Sequence, residues 1–173
     1  AGSANQSLTG DDVLPILRRE LDSDTVLYLG GSLKLLALLG AYSDILELAK
    51  RRGSTTVLDH GRVTNIVKPK HREIIRNCIE RIDIYLPSHD EFLDMWDVDT
   101  LEAALELMAE ISDAVVVVKD AQNGAHTLVD GEICTVPTDT IQDVTNTVGA
   151  GDTFNAGFIR GMSEGRELLD AIR

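Results

Sequence analysis

Asn146-Thr147-Val148-Gly149-Ala150-Gly151-Asp152-Thr153-Phe154-Asn155-Ala156-Gly157-Phe158 puts three small residues directly ahead of a segment with helical apolar spacing. Phe154, Phe158 and Ile159 recur at that spacing and predict a helix over Gly151–Met162 with one buried face. Small residues at a helix start let backbone N–H groups converge on an anion, and the positive end of the macrodipole adds to the attraction. Asp152 falls in the first turn, beside that anion position. A carboxylate there can take the proton from a hydroxyl as it attacks a phosphoryl group. Without a ligand, the same string is a glycine-rich turn with Asp152 as a charge stabiliser, and Gly-Ala-Gly-Asp alone does not separate the two.

Working outward, short apolar runs alternate with helical patterns along most of the chain. Thr9 and Asp12 predict a capped helix start, followed by Val13, Leu14, Leu17 and Leu21 on one face. Strands are predicted at Thr25–Leu29, Thr55–Leu58 and Ile82–Leu86, and a nearly unbroken valine strand at Ala114–Val118. Between them, helices are predicted at Leu33–Arg51, stopped by Gly53, and at His71–Arg81, Glu91–Met95 and Leu101–Ile111. Asp130-Gly131 joins Ala125–Val129 to Glu132–Val136 as a hairpin, and Arg166–Ile172 closes the chain as a helix. Such alternation predicts one α/β domain over residues 1–173, a doubly wound, largely parallel sheet with helices on both faces. Ligands of such sheets bind beyond the carboxyl ends of strands, where Asp59, Ser88 with Glu91, Lys119 with Asp120, and the Gly149 loop fall.

Composition narrows the function classes. A net charge of −13 argues against nucleic acid, whose phosphates reward clustered Lys and Arg. The one basic concentration, Arg62 to Arg81, is expected to be the solvated face of a helix. The longest apolar stretch, Leu33–Ala41, is broken by Lys34 and too short to span a membrane. Ala1–Gly10 lacks the basic-then-apolar pattern of a signal peptide. Cys78 and Cys134 have neither disulfide-framework nor zinc spacing, so a cytoplasmic location is the default expectation. His60, His71, His89 and His126 share no metal-ligand spacing and are expected at the surface or in loops, with His60 beside the strand end at Asp59. Trp96 is expected to pack. Gly30-Gly31 lacks a following Lys-Ser or Lys-Thr and is a turn, and Ser32 and Ser88 lack a hydrolase frame.

The string from Asn146 to Phe158 closely resembles the signature of the ribokinase-like (PfkB-type) carbohydrate kinases, Asp-Thr-x-Gly-Ala-Gly-Asp-x-Phe-Asn-Ala-Gly-Phe. The resemblance implies that Asp152 is the catalytic base and that the N–H groups around Gly149, Ala150, Gly151 and Asp152 form the anion hole for the transferred phosphate. Ile82 to Glu91 is similar to the family strand ending in Asn-x-x-Glu, which puts Ser88 at the nucleotide-facing position and has Glu91 organise the water shell of Mg²⁺. Val116 to Ala125 resembles the strand and loop lining the ATP site, so Lys119, Asp120, Ala121, Gln122, Asn123, Gly124 and Gly151 are the expected nucleotide contacts. The implied cofactors are ATP and Mg²⁺.

The sequence departs from the pattern at named places. Asn146 stands where the family opens with an acidic residue associated with a monovalent-cation site, Ser88 replaces Asn, and Ala121 replaces a loop glycine. The family's Gly-Gly motif and β lid do not precede Ala1, nor does its helical tail follow Arg173. The resemblance therefore implies the nucleotide-binding and catalytic portion of a larger kinase, with sugar binding largely outside these residues. The leading expectation is phosphoryl transfer from ATP to a hydroxyl of a small sugar-like molecule, with no nucleic-acid or membrane partner; a homodimer is left open. The alternatives are a nucleoside kinase on the same scaffold and a non-catalytic nucleotide-binding module.

Overall fold

A computed structural model describes residues 7–62, 64, 67–139 and 146–173. The signal-peptide reading of Ala1–Gly10 lies largely outside them. The chain opens with helix α1 (Gly10–Glu20), whose start is fixed as its sequence suggested: Thr9 donates through its backbone N–H (2.9 Å) and hydroxyl (2.6 Å) to Asp12.

Strands β1 (Val26–Gly30), β2 (Thr55–Asp59), β3 (Ile84–Tyr85) and β4 (Val115–Lys119) lie parallel, and β5 (Ala125–Val129) and β6 (Glu132–Val136) complete the sheet as an antiparallel hairpin. The six strands stand in sequence order. Asp130 (φ 51°) and Gly131 (φ 82°) make the hairpin turn, both in the left-handed region that a two-residue connection requires.

Strands β2, β3 and β4 are apolar on both faces, and their alternate residues feed two cores, whereas β1 buries one face only. Leu58, Tyr85, Val116 and Val118 enter a large cluster with α2 (Tyr42–Arg52), α3 (Pro69–Cys78), α4 (His89–Trp96) and α5 (Leu101–Ile111). Val57, Ile84, Leu86 and Val117 face a second cluster built with Phe158 of α6 (Ala150–Ser163) and Ala171 and Ile172 of α7 (Leu168–Ile172). Helices thus cover both faces, and only α6 and α7 join the second. That places the start of α6 against the sheet face opposite α2–α5, at the carboxyl ends of β2 and β4.

Four local expectations change. The helix expected over Leu33–Arg51 begins only at Tyr42, after two short 3₁₀ turns at Ser32–Lys34 and Leu39–Ala41. Ser32 Oγ donates to the Leu29 carbonyl (3.0 Å) and the Leu33 N–H to the His60 carbonyl (2.9 Å), which pins this leucine-rich segment to the strand ends. The last helix is confined to Leu168–Ile172.

The basic stretch is a solvated face only in part: Arg62, Lys68, Lys70 and Arg81 are exposed, but Arg72 and Arg76 are engaged. Arg72 reaches the Asp94 carbonyl and the carboxylates of Asp94 (3.0 Å) and Asp97 (3.1 Å). Arg76 reaches the Met95 carbonyl and Asp97 (2.6 Å) while lying 5.7 Å from the Trp96 ring centroid. The two arginines satisfy carbonyls at the end of α4 and neutralise Asp97, which sits at φ 54°. His60, in the loop after β2 as expected, and His71, within α3, are both buried. His71 Nδ1 accepts from the Lys68 N–H at the start of α3 (3.1 Å).

Candidate functional site

Four elements meet at the carboxyl edge of the sheet. Lys119, the last residue of β4, donates to Asp59 Oδ2 at the end of β2 (2.8 Å) and to Asn155 Oδ1 in α6 (3.0 Å). Asn155 Nδ2 in turn donates to Asp59 Oδ2 (2.7 Å) and to the Tyr28 hydroxyl of β1 (2.9 Å). The Lys119 and Asp59 side chains are each only 10% exposed, and Asn155 is fully buried. A buried ion pair is tolerated when further hydrogen bonds support its partners: Asn155 accepts from Lys119 and donates to Asp59 Oδ2, and the Gly61 N–H donates to Asp59 Oδ1 (3.0 Å). This network locks the second turn of α6 onto the strand ends.

Helix α6 starts at Ala150, one residue before the expected Gly151, after Gly149 at φ 84°. The Ala150 N–H donates to the Thr147 carbonyl (3.1 Å), and the Thr153 N–H to the Gly149 carbonyl (2.9 Å). Among the described residues, the N–H groups of Gly151 and Asp152 have no acceptor, as the first turn of a helix leaves them. A Cβ on Gly151 would lie 3.7 Å from Lys119 Nζ, so the ammonium stands directly beneath the loop. Asp152 is exposed. Asn146 Oδ1 accepts from the Val148 N–H (2.9 Å) and closes the turn before Gly149, a neutral oxygen already committed to the loop.

A cleft of about 730 Å³ opens beside this turn, bounded by β4, the β6 end, α6 and α7. Of the residues expected to meet a nucleotide, Lys119, Ala121, Gly124 and Gly151 line it, together with Ala150. Ser88, Asp120, Gln122 and Asn123 are not in its lining. Ser88 takes the N-cap position of α4 and bridges β4 through its backbone at Lys119. Asp120 holds the loop itself, pairing with His126 (3.3 Å) and accepting from Asn123 (3.1 Å).

Gly124 sits at φ 92°, and a Cβ there would come within 2.1 Å of the Val136 carbonyl oxygen, so only glycine lets the loop approach β6. Ala121, where the resembled family carries glycine, adopts φ 45°.

On the other flank, Glu91 lies in the first turn of α4. Burial, and secondarily the Asp59 carboxylate, push its carboxyl above the usual range. His60 anchors this flank: its Nε2 is 3.1 Å from the Glu91 carbonyl and its Nδ1 2.9 Å from the Tyr85 hydroxyl. The carbonyl can only accept, so Nε2 carries the proton and Nδ1 accepts from Tyr85. Burial drives the imidazole down to about 4, with the Asp59 charge opposing. Among the described residues, no three His, Cys, Asp or Glu side chains cluster as a metal site. Asp59 is already engaged at both oxygens, Oδ2 by Lys119 and Asn155 and Oδ1 by the Gly61 N–H (3.0 Å). No helix among the described residues is long and apolar enough to cross a membrane.

Tyr28 and Asn155 are the site residues that motif reading passed over. Asn155 lies three residues after Asp152 and hence on the same side of α6, a signal that was present; Tyr28 gave none, since its place in an apolar strand reads as packing.

A largely parallel α/β sheet thus gathers a helix start, a buried lysine and two carboxylates at one edge. Residues 2–173 match the pfkB family carbohydrate kinases, and the chain belongs to that family. It is 24% identical over 128 residues to a cytidine kinase of Thermococcus kodakarensis, covering 73% of this chain and 46% of that protein. Its fold matches the adenosine kinase of Sinorhizobium meliloti with a TM-score of 0.80 at 22% identity, over 96% of this chain and 50% of that one. A putative ribokinase II of E. coli, solved in complex with ATP and Mg²⁺, matches with a TM-score of 0.75 at 24% identity, over 90% of this chain and 52% of that one. The chain thus spans about half the length of these relatives.

Proposed function

We propose that this chain carries the nucleotide-binding and catalytic part of an ATP-dependent kinase that phosphorylates a hydroxyl of a small sugar, or of the sugar of a nucleoside. One observation carries the reading: an exposed carboxylate, Asp152, stands in the first turn of α6 beside two unpaired backbone N–H groups and above a buried ammonium. Bound ATP with Mg²⁺ would supply a transferable phosphoryl group whose charge the metal offsets. The Gly151 and Asp152 N–H groups donate to phosphate oxygens, and Lys119, with two protons given to Asp59 and Asn155, has a third to offer. Gly124, Ala121 and the adjacent hairpin shape the wall of the cleft. Asp152 takes the proton of the attacking hydroxyl. The ATP and Mg²⁺ held by the E. coli relative support this use of the cleft.

The test is Asp152→Asn in the full-length protein. The amide keeps the shape and is not a useful base, so kcat falls by about 10² or more. Nucleotide affinity is kept or rises slightly, because a negative charge beside the phosphates is gone. Coupled ADP release measures the first and calorimetric ATP titration the second. Near wild-type turnover in the variant would return Asp152 to the role of helix stabiliser. ATP binding without turnover in the wild type would favour the non-catalytic module.

A further inference from the structure

The Tyr28 hydroxyl ends the buried network on its open side. Its oxygen accepts from Asn155 Nδ2 at 2.9 Å, which fixes the ring and uses the hydroxyl as an acceptor. Among the described residues its own proton has no acceptor, although Tyr28 is 37% exposed rather than lost at the surface. The ring lies over Gly30: a Cβ there would be 2.6 Å from the ring, so the absent side chain makes the room the ring occupies. Asn155 stands one helical turn beyond Asp152, which brings the Tyr28 hydroxyl to the same side of α6 as that carboxylate. Burial, and to a smaller extent the charges of Asp59 and Asp152, raise the pKa of the phenol, so it stays protonated and able to donate.

We propose that Tyr28 is an acceptor-binding residue, donating a hydrogen bond from its hydroxyl to an oxygen of a polyhydroxylated substrate, next to the hydroxyl that faces Asp152. This assignment rests on the kinase reading above, in that the acceptor must sit beside Asp152. The chemistry fits a diol-bearing ligand. Asp152 accepts from one hydroxyl, and Tyr28 donates to a neighbouring oxygen of the same molecule. An acceptor lacking that second oxygen leaves the donor unmatched. Tyr28 is not among the residues lining the cleft with Lys119, Gly124 and Gly151 and touches Lys119 only through Asn155, so its loss leaves those lining residues in place.

The test compares wild type and Tyr28→Phe in the full-length protein, with D-ribose, D-fructose, adenosine and cytidine as the acceptor probes. Turnover is read by coupled ADP release, acceptor binding by calorimetry with the same four probes, and folding by thermal melting. The ring and its packing over Gly30 remain while Asn155 Nδ2 loses one acceptor, so the melting temperature falls by roughly 2–8 °C and the protein stays folded. The KM of the acceptor used rises about tenfold, as the loss of one hydrogen bond predicts, while the KM for ATP stays within about twofold. An unchanged acceptor KM, or an equal rise in both KM values, overturns the assignment. If the wild type binds one probe without turning it over and Tyr28→Phe weakens that binding, the kinase reading fails and Tyr28 stands as a ligand contact. Equal binding by both proteins, or no binding of any probe by the wild type, overturns the Tyr28 assignment itself.

Discussion

Acid should destabilise this protein through His60. The imidazole is fully buried, donates from Nε2 to the Glu91 carbonyl and accepts at Nδ1 from Tyr85, an arrangement that only the neutral ring satisfies. Its pKa falls from 6.5 to about 4 in the folded chain. The unfolded chain therefore binds more protons between those values, and stability is lost as pH falls through that window. At 1.36 kcal/mol per pH unit across that window, about 3 kcal/mol is lost between pH 7 and pH 4, out of a typical 5–15 kcal/mol. Above pH 7 His60 contributes no slope.

The perturbation that isolates this is His60→Phe. It leaves the Glu91 carbonyl and Tyr85 hydroxyl without their partner, which costs stability at every pH, but it removes the titrating group. Urea unfolding at half-unit steps from pH 7 to pH 4, followed by far-UV circular dichroism, gives the free energy of each protein. Glu91 and His71 are also shifted and titrate in both proteins, so the difference between the two slopes is what counts. The wild type should lose about 3 kcal/mol more than His60→Phe across the range. Parallel curves would refute the assignment of a neutral, buried imidazole as the acid-sensitive group.

Two further outcomes test the site's construction. Gly124→Ala should lower the melting temperature by roughly 10 °C and weaken ATP binding. The left-handed backbone strain and the 2.1 Å approach to the Val136 carbonyl together cost about 3–4 kcal/mol, and β6 must move to relieve them; a shift under about 2 °C, seen by calorimetry, would show that the loop is not tight. Lys119→Met should cost about 3–5 kcal/mol, because it strands the buried Asp59 carboxylate, and adding Asp59→Asn should recover at least half of it. Additive losses in that double-mutant cycle, measured by urea unfolding, would mean that the ion pair is not coupled.

Much of this molecule is written locally. Val116–Val118 is apolar on both faces, so it can only be a strand covered twice. Asp130-Gly131 accepts the left-handed backbone of a two-residue turn, and Gly149-Ala150-Gly151 before Phe154 and Phe158 marks a helix start with open N–H groups. Each follows from short-range sterics, periodicity or capping, for which neighbours in sequence suffice. The signature around Asp152 likewise placed the family before any contact was known. The tertiary structure decided what depends on groups distant in the chain. Leu33–Leu39 has helical apolar content, yet hydrogen bonds to Leu29 and His60 hold its start in turns. Arg72 and Arg76 read as a solvated face until the end of α4 arrives to be capped. His60 reads as a loop residue until Tyr85 and Glu91 close over it, and Tyr28 joins Asn155 from 127 residues away. Burial and partner choice are properties of the closed sheet edge, since the energy of a polar group depends on which atoms surround it, and sequence spacing carries no record of contacts made across such distances.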